Sequence, residues 1–250
     1  AGAATLGAVV LPRTRPRPQP QLAPGEGITL RFLSANCLKG GADPRALMAL
    51  IHELEPDVVA LQEQDRHLLR LLDLEGIGDV LPHRVVNPGG RMSDAGLLSR
   101  FPLTPVAPEL SSVFVAAEAT LPGGQGLPLM AFHPLPPVGR DYTTRWTDAM
   151  EEIPAADGTF AGGVLCGDFN ATLDHPEFRA VLGRGWRDAA RECGGAMRAT
   201  WSEFGLLRLT IDHILVSEGA AVSDYRVHRL RGSDHRAISA VVTVPTPARG

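Results

Sequence analysis

Lysine is nearly absent: of the 24 basic residues in this 250-residue chain, Lys39 is the sole lysine. Set against 28 acidic residues, they leave a formal net charge of −4. A chain so balanced has no global basic field of the kind that draws non-specific binders to nucleic-acid phosphates, so nucleic acid is disfavoured as a partner. The arginine bias, together with abundant alanine, glycine and proline, points to a G+C-rich bacterial genome and says nothing of mechanism. Cysteine is also scarce. Cys37, Cys166 and Cys193 are an odd number without metal-ligand spacing, which indicates neither a disulfide framework nor a zinc site. Cys37 and Cys166 are expected to pack as small apolar residues, with a Cys37–Cys166 disulfide as the second reading. Long hydrophobic runs are missing too. The apolar stretch Ala1–Leu11 falls short of the about 20 residues a membrane helix needs.

That stretch is followed by Pro12-Arg13-Thr14-Arg15-Pro16-Arg17-Pro18-Gln19-Pro20, an extended, proline-rich piece. Residues 1–26 are expected to be a linker, or the end of a membrane segment, outside the fold. Residues 27–246 form one domain, with 247–250 as a tail. The three arginines favour the cytoplasmic side of any span.

What is present is a series of apolar strands that end in polar residues. Ile28–Ser34 alternates as a strand and stops at Asn36; Asp43-Pro44 caps a helix whose Leu47, Leu50, Ile51 and Leu54 share one face, and Pro56 ends it. Asp57–Gln62 is a second strand ending at Glu63. Strand, helix and strand in that order predict a parallel pair, so Asn36 and Glu63 reach one edge together. A leucine-rich helix over Asp65–Leu74, a short strand to Asn87, a turn at Pro88-Gly89-Gly90 and a strand over Ala95–Arg100 come next. Ser112–Leu121 and Leu127–Phe132 read as a hairpin whose second strand ends at His133, ahead of a helix near Trp146–Ile153. Gly163–Gly167 is an apolar strand that ends in Asp168 and Asn170, side chains two residues apart that leave a strand on one face. One can take a proton from water; the other can donate to an oxyanion. Helices at Pro176 and Ala189 follow, then strands beginning near Asp212, Val222 and Ser239.

Asn36, Glu63, His133, Asp168, Asn170, Asp212, Asp234 and His235 can thus share one edge of the fold, since an antiparallel strand begins where its neighbour ends. Hard oxygen donors without a thiolate pair suit Mg²⁺ or Mn²⁺. Glu63 is the main expected metal ligand, Asn36 stands beside it, and Asp234 contributes through water.

In motif order, Ser34-Ala35-Asn36, Leu61-Gln62-Glu63, Gly96–Arg100, Phe132-His133, Gly167-Asp168-Phe169-Asn170, Ile211-Asp212-His213-Ile214 and Ser233-Asp234-His235 resemble the metal-dependent endonuclease/exonuclease/phosphatase superfamily, which includes DNase I-like nucleases, inositol polyphosphate phosphatases and neutral sphingomyelinases. The resemblance spans residues 28–244 and implies an α/β fold, a four-layer sandwich of two packed mixed sheets flanked by helices. It implies in-line attack of water on phosphorus, with Asp168 orienting or deprotonating that water and Asn170 and His133 holding non-bridging oxygens. His235, positioned by Asp212, would stabilise phosphoryl charge; either Asp168 or the His235 pair can be the base. One departure is that Cys37-Leu38 follows the first asparagine where nucleases often carry a second carboxylate.

The proline-rich leader and His133-Pro134-Leu135-Pro136-Pro137 look like a membrane-tethered bacterial branch, which implies a domain on the extracytoplasmic side, membrane-tethered or secreted. The expected substrate is a phosphorylated small molecule or lipid head group and the expected state a monomer. A nuclease is the alternative enzyme, and a catalytically silent binding module the alternative of another class. Arg140 and Arg145, with Arg91, are candidate substrate-phosphate ligands. Trp201 is placed at the pocket rim or in packing, and His213 is given no role.

Overall fold

The computed structural model describes residues 13–23, 25–87, 95–106, 113–203 and 207–246. The first half comprises β1 (Gly27–Asn36), α1 (Pro44–Leu54), β2 (Val58–Gln62), α2 (Arg66–Leu74), α3 (Ile77–Val80), β3 (His83–Val86), β4 (Gly96–Ser99), β5 (Leu103–Pro105), β6 (Phe114–Thr120) and β7 (Gly126–Phe132). The second comprises α4 (Arg140–Glu152), β8 (Val164–Asp168), α5 (Pro176–Leu182), β9 (Trp186–Asp188), α6 (Ala189–Glu192), β10 (Trp201–Glu203), β11 (Leu207–Leu209), β12 (Asp212–Ser217), β13 (Ala221–Arg229) and β14 (Arg236–Pro245).

Two six-stranded sheets run in the orders β13-β14-β1-β2-β4-β3 and β5-β6-β7-β8-β12-β9. Each is mixed: β1 and β2 are parallel, as are β7 and β8, and their other pairings are antiparallel. Strand alternation assigns each residue a layer. Leu30 and Phe32 of β1, Val58 and Ala60 of β2, Leu129 and Ala131 of β7, Val164 and Cys166 of β8, and Ile214 and Val216 of β12 fill the space between the sheets. Leu33 and Leu61 face outward onto Leu47 and Ile51 of α1 and Leu68 and Leu72 of α2. Leu165 and Leu215 face the other way, onto Trp146 and Met150 of α4 and Phe178 of α5. The result is the four-layer α/β sandwich expected from the sequence.

Local signals explain the boundaries. Asp43 accepts from the amides of Arg45 and Ala46 ahead of Pro44, and Asp65 accepts from that of Leu68, so both helices begin on a carboxylate cap. The sequence reading misses β5, β9, β10 and β11, each only three residues long and too short to show alternation. It also starts α4 late, because its first turn, Arg140-Asp141-Tyr142-Thr143, carries no apolar stripe. The turn at 88–90, Arg91 and the start of the strand expected from Ser112 lie outside the described residues.

The leader requires a correction. Residues 13–23, expected outside the fold, lie along its edge. The Arg17 amide donates to Glu192 O at 2.9 Å, and Gln19 Oε1 accepts from the Val222 amide at 2.9 Å. Arg13 forms a two-pronged ion pair with Asp174, at 2.5 and 3.1 Å. An extended proline-rich chain makes no regular backbone–backbone hydrogen bonds of its own, so its polar groups are open to the edge of α6 and β13. Cys37 and Cys166 are free thiols in different layers, the first under α1 and the second between the sheets, so the disulfide reading falls. Burial raises both thiol pKa values, that of Cys37 to about 12.

Candidate active site

The inward-facing rows of the core continue, at one end of the sandwich, into polar residues. Asn36 shares a face with Leu30 and Phe32, His133 with Leu129 and Ala131, Asp168 with Val164 and Cys166, and Asp212 with Ile214 and Val216. Asp212 and Asp168 are direct partners in the β8–β12 pairing, and Asn36 is the partner of Gln62. The site is therefore the polar end of the hydrophobic core. Gly167 permits this crowding, because a Cβ there would lie 1.9 Å from Phe132 O.

Asn36 is central. Its Nδ2 donates to Glu63 Oε1 at 3.1 Å and to Asp168 Oδ2 at 3.0 Å, and its Oδ1 accepts from the Leu38 amide at 2.9 Å. Glu63 Oε2 accepts from the Lys39 amide at 3.0 Å. Asp168 Oδ1 accepts from the Asn170 amide at 2.9 Å, while Asn170 Nδ2 donates to Pro134 O at 3.0 Å. His133 Nε2 lies 3.7 Å from both Glu63 Oε1 and Asp168 Oδ2. His235 bridges two carboxylates, with Nδ1 3.0 Å from Asp212 Oδ2 and Nε2 3.6 Å from Asp168 Oδ2. The Asp212–His235 hydrogen bond expected from sequence is thus present. Leu38, Lys39, Glu63 and Asn170 all have positive φ, at 46°, 51°, 52° and 49°. Such strain in non-glycine residues persists where surrounding contacts hold it, and here it gathers around one cluster.

The electrostatics follow from burial. Burial disfavours the charged form of His235, but Asp212, Asp168 and Asp234 outweigh it and raise its pKa to about 10, so it is an imidazolium at neutral pH. Burial pushes the Asp168 carboxyl above its ordinary range; His235 and His133 oppose the push and Asp212 adds to it.

Asp234, Arg140 and Arg145 lie outside this hydrogen-bonded network, and Trp201 is at the rim as expected. Asp234 is exposed and its Oδ2 accepts from Trp201 Nε1 at 2.9 Å; among the described residues no hydrogen bond joins its carboxylate to Glu63 or Asn36. Arg140 and Arg145 lie exposed on α4, and neither side chain makes an ion pair with the cluster. Trp201 packs at the rim, its ring 6.4 Å from that of His235.

One functional-looking pair escaped the sequence reading. His213, adjacent to Asp212 and so on the opposite face of β12, is fully buried with Nδ1 3.4 Å from Asp188 Oδ1. Its Nε2 lies 2.8 Å from Ala171 O, beneath the turn that carries Asn170. Burial works against its charge, but Asp188 carries its pKa above the ordinary value. Asp188 ends a three-residue strand without motif context, which left no signal to find it.

Two sets of residues could receive a cation. Asp168, Asp212 and His235 offer atoms within 4.8 Å of one another. Both carboxylates there already face the His235 imidazolium, which satisfies them and competes with a metal. Glu63 and Asp168 instead share the amide of Asn36 and, at 3.7 Å, His133 Nε2. Glu63 faces no imidazolium at hydrogen-bond distance, and Asn36 Oδ1 keeps a second lone pair beside its bond to the Leu38 amide, so these two residues offer hard oxygen donors for a divalent ion.

Comparison with known proteins bears on the family and the fold. The model of the endonuclease/exonuclease/phosphatase family matches residues 33–235. No curated protein sequence matches the chain. Solved structures do match. TDP2 of D. rerio in complex with single-strand DNA product is similar at TM-score 0.62 and 19% identity, over 86% of this chain and 98% of that one. The 3′ phosphatase NExo from Neisseria, bound to a product DNA hairpin, is similar at TM-score 0.61 and 19% identity, over 84% and 98%. Beta toxin of Staphylococcus aureus gives TM-score 0.58 and 15% identity, over 84% and 99%. These likenesses speak for the fold. The family match covers most of the chain, so the protein belongs to the endonuclease/exonuclease/phosphatase family, whose members are divalent-metal-dependent phosphoric ester hydrolases.

Proposed function

We propose that the chain hydrolyses a phosphate ester or diphosphate of a small molecule or lipid head group, with Mg²⁺ or Mn²⁺. The observation that carries this reading is the Asn36 amide held between Glu63 and Asp168, beside His133 and His235. Glu63 and Asn36 would hold the cation, which would supply charge neutralisation at the phosphoryl oxygens. Asp168, with its raised proton affinity, orients the attacking water and takes its proton. The charged His235 ring, held at Nδ1 by Asp212, directs Nε2 toward the space in front of Asp168, where it donates to a phosphoryl oxygen. His133 and the free amide hydrogen of Asn170 supply the other donors. Asp234, fixed by Trp201, sits at the rim and acts through water.

The balance of 24 basic against 28 acidic residues, with one lysine, favours small phosphates over a nucleic-acid duplex. The apolar leader favours a membrane-tethered protein, and the resemblance to the membrane-tethered branch favours a domain on the outer side, against the pull of the three arginines. The test is a hydrolysis panel of an aryl phosphomonoester, an aryl phosphodiester, a polyprenyl diphosphate and plasmid DNA, each with Mg²⁺ and with chelator. Metal-dependent turnover of a small or lipid substrate, lost in Asp168→Ala, supports the reading. Plasmid nicking at physiological salt, also lost in Asp168→Ala, makes the protein a nuclease instead.

A further inference from the structure

We infer that the site end of the sandwich is a membrane-facing surface, formed by the loop after His133, the first turn of α4 and the point where the leader enters the fold, and that it docks on a bilayer carrying anionic lipid.

The path of the leader sets the orientation. Gly27 begins β1 at the end of the sandwich away from the site, since β1 reaches the site only at Asn36. Traced backwards from Gly27, the chain meets Val222 and Arg187 through Gln19, Glu192 through Arg17 and Cys193 through Pro16. It arrives at Asp174 through Arg13. Asp174 lies in the loop that follows Asn170, so the strap crosses the whole edge of the sandwich and ends beside the site. The apolar residues Ala1–Leu11 therefore attach at that end.

The surface next to this exit is amphipathic. Pro134 O holds the Asn170 side chain, and the same loop continues to Val138, which is 73% exposed. Tyr142 follows in the first turn of α4 and is 43% exposed. One turn on, Trp146 donates to Phe169 O at 2.9 Å and its ring stacks edge-on against His175, whose Nδ1 accepts from the Thr172 amide. Loop, helix start and strap exit are thereby fastened to the residues around Asn170. Arg140 and Arg145 are interleaved with the two apolar side chains, offset by the exposed Asp141 and, at the strap exit, by Asp174, which Arg13 pairs. Exposed apolar groups among arginines suit the boundary between acyl chains and anionic head groups. A cavity of about 220 Å³ lined by Arg31, Glu53, Pro56, Asp224 and Ser239 lies on the far side of the first sheet and takes no part.

This surface deepens the lipid-phosphate reading and rests on it for its purpose, but its test is separate. Sedimentation of the full chain with phosphatidylcholine vesicles, with and without phosphatidylglycerol, is compared for wild type, the double variant Val138→Asp/Tyr142→Asp and Leu74→Asp. Leu74, 83% exposed at the end of α2, is an apolar side chain more exposed than either and remote from the strap. The expected result is binding that needs phosphatidylglycerol and falls about tenfold or more in the double variant but not in Leu74→Asp. Unchanged hydrolysis of the soluble aryl phosphate in the double variant shows that the fold survives. Equal binding by all three proteins, or no binding by wild type, overturns the surface. Intact, variant-sensitive binding with no hydrolysis of any phosphate sustains the surface and removes the proposed function instead.

Discussion

Two histidine–aspartate pairs lie back to back across one strand, and their contrast shows how this fold separates catalysis from support. Asp212 and His213 are consecutive, so the pleat sends one inward between the sheets and the other outward under the helices. Asp212 pairs with His235, whose second nitrogen faces Asp168 and the end of the core where substrate would enter. His213 pairs with Asp188, and its second nitrogen is spent on Ala171 O, with Phe169 and Phe178 packed on its ring. Chemistry and burial are similar; what differs is that His213 Nε2 lies at hydrogen-bond distance from Ala171 O, 2.8 Å, whereas His235 Nε2 faces Asp168 at 3.6 Å, beyond that distance. A histidine whose outer nitrogen lacks a hydrogen bond can donate to a ligand, whereas one whose outer nitrogen is bonded to a backbone carbonyl holds structure.

The largest expected effect separates the pairs by activity. His235→Ala lowers kcat/KM by about 10²- to 10⁴-fold, well beyond what its loss of stability explains when assayed below its melting temperature, since it also strands the buried Asp168 and Asp212 carboxylates; a loss confined to stability would place His235 with His213. The second reverses the readouts. Asp188→Ala strands a buried histidine and costs about 3–5 kcal/mol of stability, with a smaller loss of kcat than His235→Ala when assayed well below the melting temperature. Denaturant titration beside steady-state kinetics checks both. An Asp188→Ala protein as stable as wild type would mean the His213 pair is not a strut.

The third effect is a pH dependence. His235 is raised from its ordinary 6.5 to about 10 in the folded protein, so its contribution is complete below pH 6.5 and is lost as pH rises through about 10. In metal-free buffer, wild type should lose more stability over that window than His235→Asn. Parallel curves would show that the ring is neutral in the fold. The smallest effect belongs to Arg13→Ala. Arg13 and Asp174 have side chains 19% and 68% exposed, so the pair is worth about 0–1 kcal/mol. The variant should instead increase protease cleavage within residues 13–23, and unchanged cleavage would remove the strap's anchor.

The legible part of the molecule was the part written in strand ends. Asn36, Glu63, His133 and Asp168 each close an apolar run, and register then brings them together without further information. His235 was legible through its motif, and its partner Asp212 through the need to hold its ring. The supporting pair was not, because Asp188 sits in a strand too short to read and the face on which His213 lies becomes meaningful only once α5 is packed. The strap was misjudged for a related reason. Composition correctly predicts an extended chain at Pro16–Pro20, but its docking depends on Glu192, Val222 and Asp174, residues far away in sequence. The bond from Trp201 to Asp234 was not legible, since adjacency to His235 in sequence does not give side-chain direction.

The central claim is that Asp212 and His235 act as one unit on the reaction at Asp168. Its most direct test is kcat/KM for His235→Ala, Asp212→Ala and the double variant, on the panel substrate that turns over, with Mg²⁺ saturating. The account predicts two severe single losses and a double variant little worse than the poorer single. Losses that multiply would contradict it, because they would show the carboxylate and the imidazole working on separate steps.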